Sequence, residues 1–439
     1  MKKFLLGINY WPRTSAMSMW TRFDLGEIDE DFARIAALGL STVRFFLRWD
    51  AFAPSLETID PLMLDRFEAV LASAQRYGLT TMPTLFSGHM SGVNWLPEWT
   101  LDRHSPPNRF RSYVGEREVP YGIGDFYVGP LLDAQRRLAR ALGERGREHP
   151  AILAWDLGNE FSNLRQPTSE KDAAQWSQTL TNDLRETSRH EVTGGIHGED
   201  VTRENILRPS SICEPWSFAT MHGYSVYSDF ARNRLDADVV PFLAAVTRRF
   251  SGKRVLFSEF GNPTCPPGSI PGSDRVPLPG EESPSSASRS EDSSARSDFA
   301  PYACLTEEEM VVYARQVLHH LHARGALGAF WWCWTDYADV LRENPPFDRA
   351  PHELSFGIIR SDGSEKPIAR ELAAFAVMRQ NILDTDNGKN VIFDEAPYYK
   401  GFPNSVAQAY SAYCAYHLSK KINKTDPSRI PSRDRTALS

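Results

Sequence analysis

No stretch of the 439 residues reaches the roughly 20 consecutive apolar residues that cross a bilayer, so no membrane partner is expected. Positive charge is not in excess. Forty-nine Lys and Arg against 56 Asp and Glu leave a net charge of −7, which gives no reason to expect nucleic acid or an anionic lipid surface. Neither GxGxxG nor GxxxxGK[ST] follows an early apolar segment, which argues against a nucleotide site. Cysteine is scarce: the five at 213, 265, 304, 333 and 414 form no CxxC pair and no Cys/His metal spacing, and no metal or other cofactor is expected. Cys265 and Cys304 bracket one long segment. A bridge between them stays open, with reduced thiols as the expectation. The N-terminus, MKKFLLGINYWP, has two lysines but an apolar run too short for a secretory signal. It reads as a first strand, and a cytoplasmic location is expected.

What the chain does have is aromatic residues, 11 Trp, 15 Tyr and 24 Phe, within an ordinary globular composition of 41% hydrophobic and 24% charged residues. A large core accounts for many of them, and aromatic platforms also suit the apolar C–H faces of sugar rings. The length allows one large α/β domain or two smaller ones.

Strand-like and helix-like segments alternate along the chain. Strands are predicted at 3–9, 41–49, 79–86, 151–158, 191–197, 216–224, 254–260 and 326–334. Helices fall at 27–38, 61–78, 130–146, 169–189, briefly at 200–207, then at 236–250, 305–325 and 367–382. Thr306 and Glu309 have the capping-box spacing. Eight strands alternating with helices predict a (β/α)8 barrel over 1–382, with a doubly wound sheet as the alternative. The loop 87–128 shows little periodicity but carries Trp95, Trp99, Tyr113, Tyr121 and Tyr127. Residues 264–302 are rich in Pro, Ser and Gly and read as a flexible insert after the seventh strand, either a lid or subsite wall or a tolerated insertion. The extension 383–439 is aromatic as far as Tyr416 and then basic and polar. Its first part is expected to pack on the barrel and its last 15 or so residues to fray.

Two apolar stretches organise this pattern. ILAWDLGNEFSN (152–163) ends its strand at Asn159-Glu160, and RVLFSEFG (254–261) delivers Glu259 at the matching place. In a barrel the C-terminal ends of all strands share one rim, so residues there converge in space. The polar residues at those ends are Arg44, His89, Asn159, Glu160, His222, Tyr224 and Glu259, with Trp332 on the eighth strand. Singly, each has an ordinary structural role: Arg44 a rim salt bridge, His89 or His222 a satisfied polar residue near the core, Trp332 barrel packing. Together they suggest a two-carboxylate site. Asp50, Asp156, Asp336 and Glu353 also fall near strand ends or in loops. Asp156 shares a face with Glu160 only if the strand stays regular, and is read as structural.

This set resembles glycoside hydrolase family 5, whose pattern is an Arg on strand 2, His on strand 3, Asn-Glu on strand 4, His-x-Tyr on strand 6, Glu on strand 7 and Trp on strand 8. Over about residues 4–380 these are Arg44, His89, Asn159-Glu160, His222-Gly223-Tyr224, Glu259 and Trp332. The segments SGHMSGVNWLPEW and PHELSFGIIRSDGSEKP look like those of exo-acting β-mannosidases of that family, whereas the Pro/Ser-rich insert has no counterpart in the pattern. The resemblance implies a retaining enzyme with Glu259 as nucleophile and Glu160 as acid/base, their carboxyls about 5–5.5 Å apart. Arg44 beside Glu259 would keep it ionised, while an apolar setting would keep Glu160 protonated. Asn159 would read the sugar 2-hydroxyl, Tyr224 hold Glu259, His89 and His222 bind hydroxyls or tune the acid, and Trp332 floor the sugar site. Trp95 and Glu353 complete the substrate-binding set. The partner implied is an oligosaccharide. The alternatives are an endo-β-mannanase or β-glucanase and, in another class, a non-catalytic carbohydrate-binding barrel. A metal-dependent hydrolase lacks support because strand 1 has no His-x-His.

Overall fold

The computed structural model describes residues 2–105, 108–265, 304–378, 380–385 and 393–425, with side chains through Ser419. Eight parallel strands carry the molecule: β1 (Leu5–Tyr10), β2 (Thr42–Arg48), β3 (Thr80–Ser87), β4 (Ala154–Asn159), β5 (Glu191–Gly195), β6 (Ala219–His222), β7 (Val255–Phe260) and β8 (Gly328–Trp331). Their order in the sheet is β5-β4-β3-β2-β1-β8-β7-β6. The remaining seam joins β5 to β6. Ser217 N donates to Val192 O at 2.9 Å and His222 N to Ile196 O at 3.0 Å, so the sheet curls shut as a (β/α)8 barrel.

The outer helices are α1 (Leu25–Ala37), α2 (Pro61–Arg76), α3 (Gly129–Arg145), α4 (Glu170–Thr187), the short α5 (Pro209–Ile212), α6 (Val239–Ser251), α7 (Glu307–Ala323) and α8 (Pro367–Val377). Each long helix buries one apolar stripe against the strands, as Ile28, Phe32 and Ile35 do on α1. The capping box at α7 forms: Glu309 N donates to Thr306 Oγ1 at 3.0 Å and Thr306 N to Glu309 Oε2 at 3.0 Å.

Inside the barrel, Met82, Ala154, Phe218, Leu256, Leu327 and Phe330 make a separate apolar plug. Gly7 is required there, because a Cβ at that position would stand 2.4 Å from the Phe330 ring. Above this plug the interior turns polar, with Asn9, Arg44, Asp156 and Ser258 all at zero exposure. An apolar floor under a polar layer directs the chemistry to the C-terminal rim.

The loop 87–128 is structured. His89–Met90, Val93–Trp95, Arg111–Val114 and Arg117–Val119 form a small sheet, and Leu101–Asp102 pairs with Gly122–Ile123. Strands of two to four residues are too short for periodicity to reveal. Reduced thiols are a mistaken expectation at two positions, since Cys265 and Cys304 are bonded to each other with Cα atoms 4.7 Å apart. The main chain brings them together: Cys265 N donates to Leu305 O at 2.9 Å and Leu305 N to Pro263 O at 3.0 Å. Apart from residues 264 and 265, the insert expected at 264–302 lies outside the described residues. Toward the C-terminus, α9 (Glu395–Lys400) and α10 (Asn404–Thr425) follow the barrel. From α10, Tyr410 and Tyr413 set their rings 5.1 and 5.4 Å from Phe242 on α6, and Arg324 donates to the Tyr413 hydroxyl at 2.6 Å. The fraying expected of the last residues likewise falls largely outside the described range. No helix among the described residues is long and apolar enough to cross a membrane.

Candidate active site

Arg44 leaves β2 pointing inward and organises the polar layer. Its Nε meets Asp156 Oδ2 at 2.9 Å, Nη1 meets Asn9 Oδ1 at 3.0 Å and Glu259 Oε2 at 2.9 Å, and Nη2 meets Asn159 Oδ1 at 2.9 Å. Four planar contacts from one guanidinium fix two carboxylates and two amides at once, which a lysine cannot do. Asp156 is held further by the Thr84 hydroxyl at 2.8 Å, so it acts as a prop for Arg44. Its register with β5 shifts between Asp156 and Asn159. That irregularity lets Asp156 and Asn159 both face inward, which strict alternation forbids. Gly195 on β5 makes the space, because a Cβ there would stand 2.3 Å from Gly158 O and 3.3 Å from Arg44 Nη2. Of the two glycines that weaken β5 as a strand, Gly195 admits the guanidinium and Gly194 makes room for the Trp216 ring.

Glu160 follows immediately, with φ 46° and ψ 44°. A left-handed backbone at a non-glycine residue is uncommon, and such strain concentrates at functional sites. This turn places the Glu160 carboxyl on the pocket rim among His222 (Nδ1 to Oε1, 3.2 Å), His89 (Nε2 to Oε2, 3.7 Å), His197 (Nδ1 to Oε2, 3.9 Å) and the Asn163 amide, which donates to Oε2 at 3.1 Å. Opposite stands Glu259, gripped by Arg44 and by the Tyr224 hydroxyl, which donates to Oε1. One carboxyl oxygen of each Glu and a ring nitrogen of His222 all lie within 4.8 Å of one another.

The two carboxyls share burial but not neighbours. Burial pushes Glu160 up to about 7; His197 pulls the other way, and the Glu259 charge adds to the rise. Burial also raises Glu259, but there the Arg44 charge and the Tyr224 and Arg44 hydrogen bonds act against it. Glu160 is therefore the group that keeps a proton near neutrality. Burial drives His89 down to about 3 and His222 well below its ordinary range, so both rings are neutral. At His197 the loss from burial is outweighed by Asp200, Glu160 and Glu199, and its affinity for a proton rises.

Arg44, His89, Asn159, Glu160, His222, Tyr224 and Glu259 thus form one cluster. Asn159 also donates to His89 O at 3.1 Å, and His89 Nδ1 lies 2.7 Å from Asn94 Oδ1. Trp332 is buried beside them, 5.9 Å from the Phe46 ring that underlies Arg44. Glu353 sits on the 3-10 turn Pro351–Ser355, hydrogen-bonded by the Tyr227 hydroxyl at 3.0 Å. Trp95 is only 5% exposed and packs under the Arg48 guanidinium at 5.2 Å. Sequence reasoning missed His197, Asn9 and Asn163. His197 closes the same EVTGGIH segment that holds β5, and its rim position was the available signal.

No protein-family model matches the sequence, nor does any curated protein. Solved structures do match. An exo-β-1,4-mannosidase of Opitutaceae bacterium strain TAV5 is similar with a TM-score of 0.65 at 22% identity, over 85% of this chain and 59% of its own length. A glycoside hydrolase family 5, subfamily 18 protein of Streptomyces cattleya, solved in complex with Manβ1-4GlcNAc, gives 0.66 at 17% identity over 93% and 92%. The barrel is the same. A β-galactosidase of the psychrophilic Marinomonas ef1 shares it more loosely, at 14% identity and a TM-score of 0.56. At these identities the likeness is one of fold.

Proposed function

We propose that the protein is a retaining β-glycoside hydrolase that releases single β-linked mannose units from short oligosaccharides. One observation carries this reading: Glu160 and Glu259 face each other with oxygens within 4.8 Å, in surroundings that give them different proton affinities. A separation near 5 Å suits attack by one carboxylate on the anomeric carbon, whereas roughly 6.5–9.5 Å leaves room for an intervening water. Glu259, held by Arg44 and Tyr224, attacks and forms the glycosyl-enzyme. Glu160 donates its proton to the leaving oxygen and then takes one from the incoming water. In this reading Asn159 meets the 2-hydroxyl and Trp332 floors the sugar. The exo-β-mannosidase among the similar structures, and the complex with Manβ1-4GlcNAc, support mannose as the first sugar to test. Endo action is the second reading within this class. Glu160, His222 and Glu259 are also a possible donor set for a dication, but Arg44 already places a full positive charge 2.9 Å from Glu259. The Cys265–Cys304 bridge favours an oxidising compartment over the cytoplasm expected from the N-terminus.

A panel of aryl β-glycosides tests the proposal, with the anomer of the first-formed product read by NMR. Faster turnover of the β-mannoside, a β-configured product and indifference to chelator are expected. An α-configured first product excludes double displacement, and turnover of none excludes the glycosidase. Proton placement gives a separate result. Glu160 must be protonated for the first step, and its carboxyl titrates at about 7, so the acid form dominates below that value and is lost above it. For a poor leaving group kcat/KM should fall through a limb centred near pH 7, and the limb should vanish for a dinitrophenyl leaving group that needs no proton. A profile flat to pH 9 with the poor leaving group would remove Glu160 from the acid role.

A further inference from the structure

The mouth of the barrel has a direction. Glu160 stands at the end of β4, and in an eight-stranded barrel the region after β8 lies diametrically across from it. The leaving group departs on the Glu160 side, where a cavity of about 430 Å3 opens, walled in part by Asn163 and His197, both neighbours of Glu160. The far end of the glycon, its ring carbons away from the anomeric centre, therefore points toward the β8 side.

A third carboxyl waits there. Glu353 follows β8, and its side chain is 7% exposed, the same as that of Glu259. Among buried acids this distinguishes it from Asp156, which is at zero. The Tyr227 hydroxyl donates to Oε1 at 3.0 Å, Ser91 and Trp332 supply further hydrogen bonds, and the Glu259 charge is felt at this site. Three donors still leave unused one of the roughly four acceptor positions of a carboxylate. The turn that carries it is rigid: Ser355 O accepts from Thr264 N at 3.0 Å and from Lys366 Nζ at 3.0 Å, and Ser355 Oγ donates to Thr264 O at 2.8 Å. A polar group on a pre-ordered support, partly open to a sugar site, is built for recognition.

We propose that Glu353 is the specificity-determining residue for the chain end, hydrogen-bonding a free hydroxyl at the far side of the terminal sugar, next to Trp332. Recognition through a free hydroxyl selects a non-reducing terminus, because a sugar substituted at that oxygen lacks the hydrogen. This rests on the glycosidase reading and deepens it by naming what makes the action exo. Burial pushes the Glu353 carboxyl up to about 7, and in either protonation state it keeps an oxygen that accepts the hydroxyl's hydrogen.

The test pairs variants with deoxy substrates. Wild-type protein, Glu353→Ala and Glu353→Met are compared on an aryl β-mannoside and its 4-deoxy and 6-deoxy analogues. Wild type should disfavour one analogue by roughly 10- to 100-fold in kcat/KM, the scale of a hydrogen bond to a charged or buried partner. In the alanine variant that ratio should collapse toward one while the other analogue's ratio is unchanged. Methionine fills the volume without polar atoms and gives the same readout should the alanine variant not fold. A merely structural role, holding Trp332 and Tyr227, would lower all three substrates alike and leave both ratios intact, which overturns the inference while the glycosidase reading stands. Absence of turnover of every aryl glycoside by wild type overturns that reading and this inference with it.

Discussion

Glu259→Ala should lower kcat/KM for an aryl β-mannoside by a factor on the order of 10^4 to 10^6, the scale seen when a catalytic nucleophile is removed. Glu259 is the carboxylate whose oxygens are aligned by Arg44 and Tyr224, and it combines an oxygen within 4.8 Å of one on Glu160 with a buried guanidinium partner. Shortening the side chain also opens space beneath the sugar, into which azide can enter. Azide should restore turnover and give the α-glycosyl azide, inverted relative to substrate, because it attacks from the vacated side. Wild-type-like turnover, or rescue giving only β-azide, would assign the nucleophile elsewhere.

Arg44→Met should cost stability as well as activity, by about 3–5 kcal/mol, the effect of breaking a buried ion pair by removing one partner. Asp156 and Glu259 would both lose their cation. Burial already raises both carboxyls, and the Arg44 charge is the first force opposing it in each case. Without Arg44 their folded-state affinities climb further above the unfolded values. A raised carboxyl pKa leaves stability intact below the ordinary range near 4 and loses it as pH climbs through the folded value. Urea midpoints should therefore show the smallest gap between variant and wild type in acid and the largest at neutrality. A gap that does not change with pH would mean that the two acids do not depend on Arg44.

The ends of β4 and β7 were readable because buried parallel strands are continuous apolar runs, so a carboxylate at the end of one stands out. Arg44, inside TVRFFLR, stood out for the same reason. The helices were readable from period and caps, most clearly at Thr306 and Glu309. What stayed hidden depends on exceptions to alternation. The irregularities beyond Asp156 on β4 and beyond Phe257 on β7, the latter seen against both β6 and β8, re-aim side chains at two strand ends, and no residue type announces them. His197 and Asn163 reach Glu160 only because of the left-handed turn at Glu160 and the close approach of β4 to β5. The pairing of Cys265 with Cys304 is a matter of main-chain convergence, which composition between them could not reveal.

That convergence has a consequence for how the rim can vary. The chain departs at Cys265 and returns at Cys304 through a gap of 4.7 Å, a spacing comparable to that of paired strands joined by a tight hairpin. A turn of a few residues is long enough to span the same gap. Doubling the length of a flexible segment between fixed ends costs only about 0.6 kcal/mol. The stapled position is thus a fixed gap that connections of different length can close, while Thr264 and Ser355 keep their hold on each other.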